Sequence, residues 1–343
     1  YTLGDEEVVR IYGYPDFMPS KTINAEFVIK TSGANYLPQG VVINYNYLIE
    51  DSEGRIKETK SSQLEYLDPI FNWERLTLGD LVILYHDRSS ILVERALLDG
   101  HERMVHVRNV LMIEDMKPQK AIVMNSTKES RRNFPYISDR ASRDHLYSGF
   151  AYGNYDLFLL VGLSRPGMIH EFTHLLLDEA LKSPSASLPG WLNEGLAMYF
   201  ESDLSNENPS LHNALQVDVL LPLSSMGSVP GKPKDVHLFY TQSLSLVNYL
   251  IKGYGENQIS NMLQSIGNGI DVSRAFQETY GFSLEEFEEK WVKYIREEHG
   301  LADRNLFGGV KSSISLGLYS IAALVLMTGV CLIAILKKST MNH

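Results

Sequence analysis

The sequence predicts an α+β protein in three parts. A small antiparallel, Ig-like β-sandwich is expected over residues 1–69 and a domain of mixed sheet and helices over residues 70–300. A linker at 301–313, a membrane-spanning helix at 314–336 and a short tail at 337–343 complete the chain. Three observations lead there. Apolar and polar residues alternate with a period near two across residues 40–50. Strand-like and helix-like stretches alternate between residues 80 and 181. Residues 314–336 carry no charge.

Composition sets the outer limits. The chain has 343 residues, 44% of them hydrophobic and 21% charged, ordinary proportions for material that buries a core. The formal charge of −11 is spread along the chain, which argues against a nucleic-acid partner, because such a partner needs a basic stripe. Cys331 is the one cysteine, so neither an internal disulfide nor a cysteine-based zinc knuckle can form. No internal repeat and no low-complexity segment stands out.

In the first part, "GVVINYNYLIE" (40–50) sets Val41, Ile43, Tyr45, Tyr47 and Ile49 on the more apolar face of a strand. "DSEG" (51–54) is turn chemistry before a second strand, and "AEFVIK" (25–30) is a further strand candidate. In the second part, "DLVILY" (80–85), "KAIVM" (120–124) and "YDLFLLVG" (155–162) read as strands, with a helix over 89–110 between the first two. After residue 236 the pattern is helical. "YTQSLSLVNYLIKGYG" spaces Leu244, Leu246, Val247, Leu250 and Ile251 on one side, with Gly253 and Gly255 ending it. "SLEEFEEKWVKYIREE" opens with Ser283 and Glu286 as a capping box and carries Phe287, Trp291, Tyr294 and Ile295 as its apolar stripe.

The uncharged run at 314–336 would span roughly 34 Å at ~1.5 Å per residue, enough for a hydrocarbon core of ~30 Å. Lys337 and Lys338 follow directly, and the positive-inside rule puts them in the cytoplasm. The expectation is a single-pass protein of the cell membrane, with everything before residue 314 on the extracytoplasmic side.

The chemistry is concentrated in "MIHEFTHLLLDEAL" (168–181). Helical residues four apart lie about 40° apart on the wheel and one turn up. His170 and His174 therefore point the same way and can share one tetrahedral zinc. Glu171 lies ~100° round, too far to join them as a ligand but placed to reach a water beside the metal. The competing reading is two unremarkable histidines on an amphipathic helix. Two unpaired imidazoles among Met168, Ile169, Phe172, Leu175, Leu176 and Leu177 would be costly to bury, however. A third ligand also follows in "LPGWLNEGLAMYFE" (188–201), where a Pro-Gly turn starts a helix that brings Glu194 back against the histidines. Two histidines, one glutamate and an open position for water describe a catalytic rather than a structural zinc site.

HEFTH followed by WLNEGLAMYFE resembles the gluzincin metallopeptidases, related to aminopeptidase N and the thermolysin-type enzymes. The short spacing and the later "YTQSLSLVNYLIKGYG" are most similar to the peptidase MA-like family. The resemblance covers roughly residues 70–298. It implies a thermolysin-like fold, one zinc per chain and a peptide or protein substrate bound along an edge strand, for which "SGFAYG" (148–153) is the expected segment. It also implies hydrolysis of peptide bonds by a zinc-activated water, with Glu171 as general base and Tyr240 as oxyanion donor, His237 standing in reserve. The chain departs from the pattern in two places. No G-x-M-E-N segment, by which aminopeptidases hold a free amino terminus, precedes HEFTH. Met198 stands where thermolysin-like relatives have an aspartate that orients a histidine; Asp178, one turn after His174, is another acid near the motif. The alternatives are a zinc-binding but inactive cell-surface module for peptide binding or adhesion, and a plain scaffold in which HEFTH is accidental.

Overall fold

A computed structural model describes residues 1–301 apart from 5–8, 19, 136–147, 182, 184, 185 and 202–208. The amino-terminal part holds five short strands, β1 (Thr2–Leu3), β2 (Val42–Tyr45), β3 (Leu48–Glu50), β4 (Ile56–Glu58) and β5 (Ser62–Glu65). β1, β2 and β5 form an antiparallel sheet in the order β1-β2-β5, and β3 pairs with β4 as a separate hairpin.

This departs from the expected sandwich in three ways. The stretch 40–50 is not one strand. Tyr45 pairs with Ser62, whereas Leu48 pairs with Glu58, and between them the Tyr47 amide donates to the Thr59 hydroxyl at 2.9 Å. Residues 25–30 form no strand; nearly all are exposed, so no buried face pins a register. β3 and β4 are exposed at every position, so they cannot be the second leaf of a sandwich. The buried residues of this part, Leu37, Val41 and Ile43, pack instead against Leu84, Ile122, Met124, Leu157 and Leu159 of the central sheet.

That central sheet has five strands: β6 (Glu74–Leu78), β7 (Leu81–Tyr85), β8 (Gln119–Met124), β9 (Gly149–Tyr152) and β10 (Leu157–Val161). Their order is β6-β7-β8-β10-β9. β7, β8 and β10 run parallel, and β6 and β9 are antiparallel edges. The parallel strands are apolar almost throughout because both faces are covered. Alternate residues split between two cores. Ile83, Ala121, Val123, Phe158 and Leu160 face the helices, while Leu84, Ile122, Leu157 and Leu159 face the amino-terminal segment. β6 joins β7 through the two-residue turn Gly79–Asp80. The connection from β7 to β8 is α1 (Ser90–Val110), which buries Val93, Leu97, Met104 and Val107.

Beyond the sheet the described chain is helical: α2 (Thr127–Asn133), α3 (Arg165–Leu181), α4 (Gly190–Glu201), α5 (Pro209–Gln216), α6 (Pro233–Tyr254), α7 (Asn257–Gly267), α8 (Val272–Tyr280) and α9 (Leu284–Glu298). The Ser283–Glu286 capping box forms at the start of α9. α4 lies close against α6, and Gly195 makes this possible: a Cβ there would stand 2.6 Å from the Ser243 carbonyl oxygen. The mixed α+β architecture expected for residues 70–300 is therefore present. Residues 314–336 lie outside the described residues; among those described, no helix is long and apolar enough to cross a membrane.

Candidate metal centre

α3 begins where its sequence says it should. The Ser164 hydroxyl accepts from the Gly167 amide at 3.2 Å, an N-cap contact, and Pro166 sits in the first turn, where its missing N–H costs nothing. The helix then buries Met168, Ile169, Phe172, Leu175, Leu176 and Leu177. That face fixes its rotation and leaves His170 and His174 on the margin that looks into a cleft of about 580 Å³. α4 starts after Pro189, and its first amides are satisfied by a neighbouring loop: Gly190 donates to the Gly227 carbonyl at 2.8 Å and Trp191 to Met226 at 3.0 Å. With Trp191, Leu192 and Leu196 buried, Glu194 turns toward α3.

The structure brings His170, His174 and Glu194 together, with one ligand atom from each lying within 4.8 Å of the others. Glu194 Oε2 lies 3.4 Å from His170 Nε2 and 3.7 Å from His174 Nε2. Metal bonds of ~2.0–2.1 Å in tetrahedral geometry require ligand atoms ~3.3–3.5 Å apart, so the His170–Glu194 spacing matches zinc and the 3.7 Å His174–Glu194 spacing is a little wider. The same Oε2 is buried and has no hydrogen-bond partner. Such an atom is expensive to bury unless a cation meets it.

The other edge of each imidazole is already held. His170 Nδ1 is 2.8 Å from Glu201 Oε2, and His174 Nδ1 is 2.9 Å from Asn193 Oδ1. Each Nδ1–H donates to these oxygens, so both Nε2 atoms face Glu194, where a metal would take the place of a proton. The two rings stand 4.8 Å apart and nearly perpendicular. The surrounding carboxylates draw positive charge toward His170. Burial would lower the pKa of His170, but the carboxylates of Glu194, Glu201 and Glu171 outweigh it and push the value up to about 10. Burial holds His174 low. Glu194 is also raised by burial, yet the two imidazoles bring it below the ordinary carboxylate range. Three carboxylates around two imidazoles make a place for a cation, and two nitrogens with one oxygen fit zinc.

Glu171 does not join this group. It is 6% exposed, and burial pushes its pKa up to about 8. Its side chain lies over Gly149 on the edge strand β9, where an added Cβ would stand 2.6 Å from Glu171 Cδ. The expected segment 148–153 thus does form the edge of the sheet, and Ser148 to Ala151 line the cleft. Its alternation is telling: Ala151 packs into the helical core, whereas Tyr152 packs toward the amino-terminal segment. Tyr240, on α6, lines the cleft, and His237 is not among its lining residues. Met198 and Asp178 line it as well.

Two residues of the centre escape the sequence reading. Glu201 supplies to His170 the carboxylate that Met198 cannot. It lies seven residues after Glu194, two turns along the same face of α4, and that spacing is the signal that could have found it. Asn193 is harder to anticipate, since it orients His174 from the position adjoining a ligand.

In this arrangement two histidines from one helix meet a glutamate from the next, a group of side chains that could hold a metal ion. A family model described as Peptidase MA superfamily matches residues 159–297, from within β10 to the last turn of α9. The match supports a peptidase MA, gluzincin-like family of metallopeptidase-type hydrolases for this segment. No curated protein matches the chain.

Proposed function

We propose that the protein is a zinc-dependent metallopeptidase that hydrolyses peptide bonds with Glu171 as general base. The observation that carries this reading is the division of labour on α3 and α4. Three ligand atoms converge, the two imidazoles with their outer hydrogen bonds already made, while another carboxylate, Glu171, is buried beside them without joining them.

Zinc held by His170, His174 and Glu194 would supply a water of lowered pKa and polarise the scissile carbonyl. The chain's own groups do the rest. Glu171 takes the proton from the attacking water as the oxygen–carbon bond forms. It returns that proton to the amide nitrogen as the carbon–nitrogen bond breaks. Tyr240, on the α6 wall of the cleft, donates to the oxyanion that develops on the former carbonyl. Glu201 and Asn193 keep the imidazoles from turning.

The test uses the full chain. It should hold about one zinc per molecule and cleave members of an unbiased peptide library, with cleavage abolished by chelator. Glu171→Gln should keep the zinc and lower hydrolysis by about 10²–10⁴, the usual contribution of a general base. A wild-type chain that binds zinc and peptides but never cleaves would instead identify a binding module. The uncharged run at residues 314–336 adds a membrane anchor to the proposal, with the metal centre on the extracytoplasmic side. Protease added to intact cells should then release the catalytic part; protection until lysis would overturn that placement.

A further inference from the structure

The cleft beside the metal centre is rich in acids. Asp178, Glu171, Glu194 and Glu201 border it, and among the described residues no lysine or arginine does. Three of these acids have a use at the metal centre. Asp178 has none there, and it makes no hydrogen bond or ion pair among the described residues.

Its position is defined by the packing of α3 on the edge strand. Glu171 lies over Gly149, and seven residues further along the helix Asp178 lies over Gly153, whose added Cβ would stand 3.0 Å from Asp178 Cγ. Seven helical residues advance ~10 Å. An extended chain covers that distance in about three residues. The far edge of β9 has no strand partner among the described residues, so a peptide can extend the sheet there. Antiparallel addition is the more stable pairing. It places the scissile bond at the Gly149 end and the residues before that bond toward Gly153.

Resting on the peptidase reading above, we infer that Asp178 selects peptides carrying a cationic group two to four residues before the scissile bond. The cation is an ammonium or guanidinium, and it has two possible sources: a lysine or arginine side chain, or the free amino terminus of a short peptide. Asp178 is exposed where it borders the cleft, so its carboxylate is open to an incoming cation. Glycine at 153 is what leaves room for it.

The experiment separates recognition from turnover by measuring both. In the zinc-loaded Glu171→Gln full chain, binding is followed by fluorescence anisotropy for a doubly blocked neutral peptide. The same measurement is made on variants with one lysine walked through each position, and on the neutral peptide with a free amino end. Lysine at one or two adjacent positions should tighten binding about tenfold, the size of one hydrogen bond to a charged group. In the wild-type chain, mass spectrometry should place cleavage two to four residues after that lysine. If the amino terminus is the source, the free-ended peptide gains instead and cleavage falls near its start. Asp178→Asn should bring the ratio of cationic to neutral binding close to one, Asp178→Lys should invert it, and Asp178→Glu should restore it. No preference for the cationic peptides, or a preference that survives Asp178→Asn, overturns the inference. Because the binding arm needs no hydrolysis, a chain that selects cations but never cleaves would count against the peptidase reading alone.

Discussion

Gly149→Ala is a sharp test of how the base is held. Gly149 does not adopt a positive φ, so its backbone accepts alanine without strain. The one obstacle is Glu171: the new methyl would stand 2.6 Å from Cδ and 2.7 Å from Cγ. Carbon atoms rest at ~3.5–4.0 Å, so the carboxylate must retreat by about 1 Å. A misplacement of that size in a reacting group costs about 100-fold in rate. The ligands His170, His174 and Glu194 are untouched, and alanine removes backbone freedom from the unfolded chain, so stability should hold or rise by a few tenths of a kcal/mol. The measurements are kcat/KM on a peptide the wild-type chain cleaves, zinc content by elemental analysis, and the urea midpoint. The expected result is activity down ~100-fold with zinc and midpoint preserved. Wild-type activity in Gly149→Ala would refute the argument that Gly149 positions Glu171. Loss of zinc would show that the edge strand supports the ligands rather than the base.

Three further outcomes follow from the same geometry. Glu201→Gln should weaken zinc binding by about 10- to 100-fold, read by competition with a chromophoric chelator, because the hydrogen bond that orients His170 loses its charge. Tyr240→Phe should keep zinc and lower kcat by ~10²–10³, the usual cost of one oxyanion donor, and an unchanged kcat would remove Tyr240 from the mechanism. Gly195→Ala forces α4 and α6 apart at the Ser243 carbonyl, an overpacking that should cost about 1–3 kcal/mol in urea unfolding.

How much of this was legible in the sequence depended on what holds each element. The grouping of His170, His174 and Glu194 follows from helix geometry, which local sequence encodes, and from a Pro-Gly turn that limits where the next helix can go. The edge strand at 149–152 was legible as a segment, but not the reason for its glycines, which lies in α3 packing over it. Glu201 is not singled out by the thermolysin-like pattern, which places the orienting acid one turn after Glu194, where Met198 stands. β6 has a weak signal, since only "LTLGDLVIL", a Gly-Asp turn flanked by apolar residues, points to its pairing with β7. Residues 25–30 have strand composition without a face to bury, and composition alone does not make a strand. The sandwich failed for a related reason: the apolar residues of the first part are complementary to a surface far along the chain, and no local pattern reveals that.

That surface has a consequence for how the molecule comes apart. Leu84, Ile122, Leu157 and Leu159 are buried because Leu37, Val41 and Ile43 cover them, and the seam is tied by hydrogen bonds from Tyr36 to the Asn133 carbonyl at 2.7 Å and between the Tyr36 and Tyr152 hydroxyls at 3.0 Å. Tyr152 belongs to the strand that carries Gly149. Lifting the first segment away would uncover one whole side of the sheet and loosen the strand beneath Glu171 in the same event. The two layers should therefore melt in one cooperative transition rather than two, and a chain trimmed to its helical half would inherit the His170–His174–Glu194 group without the sheet that backs it.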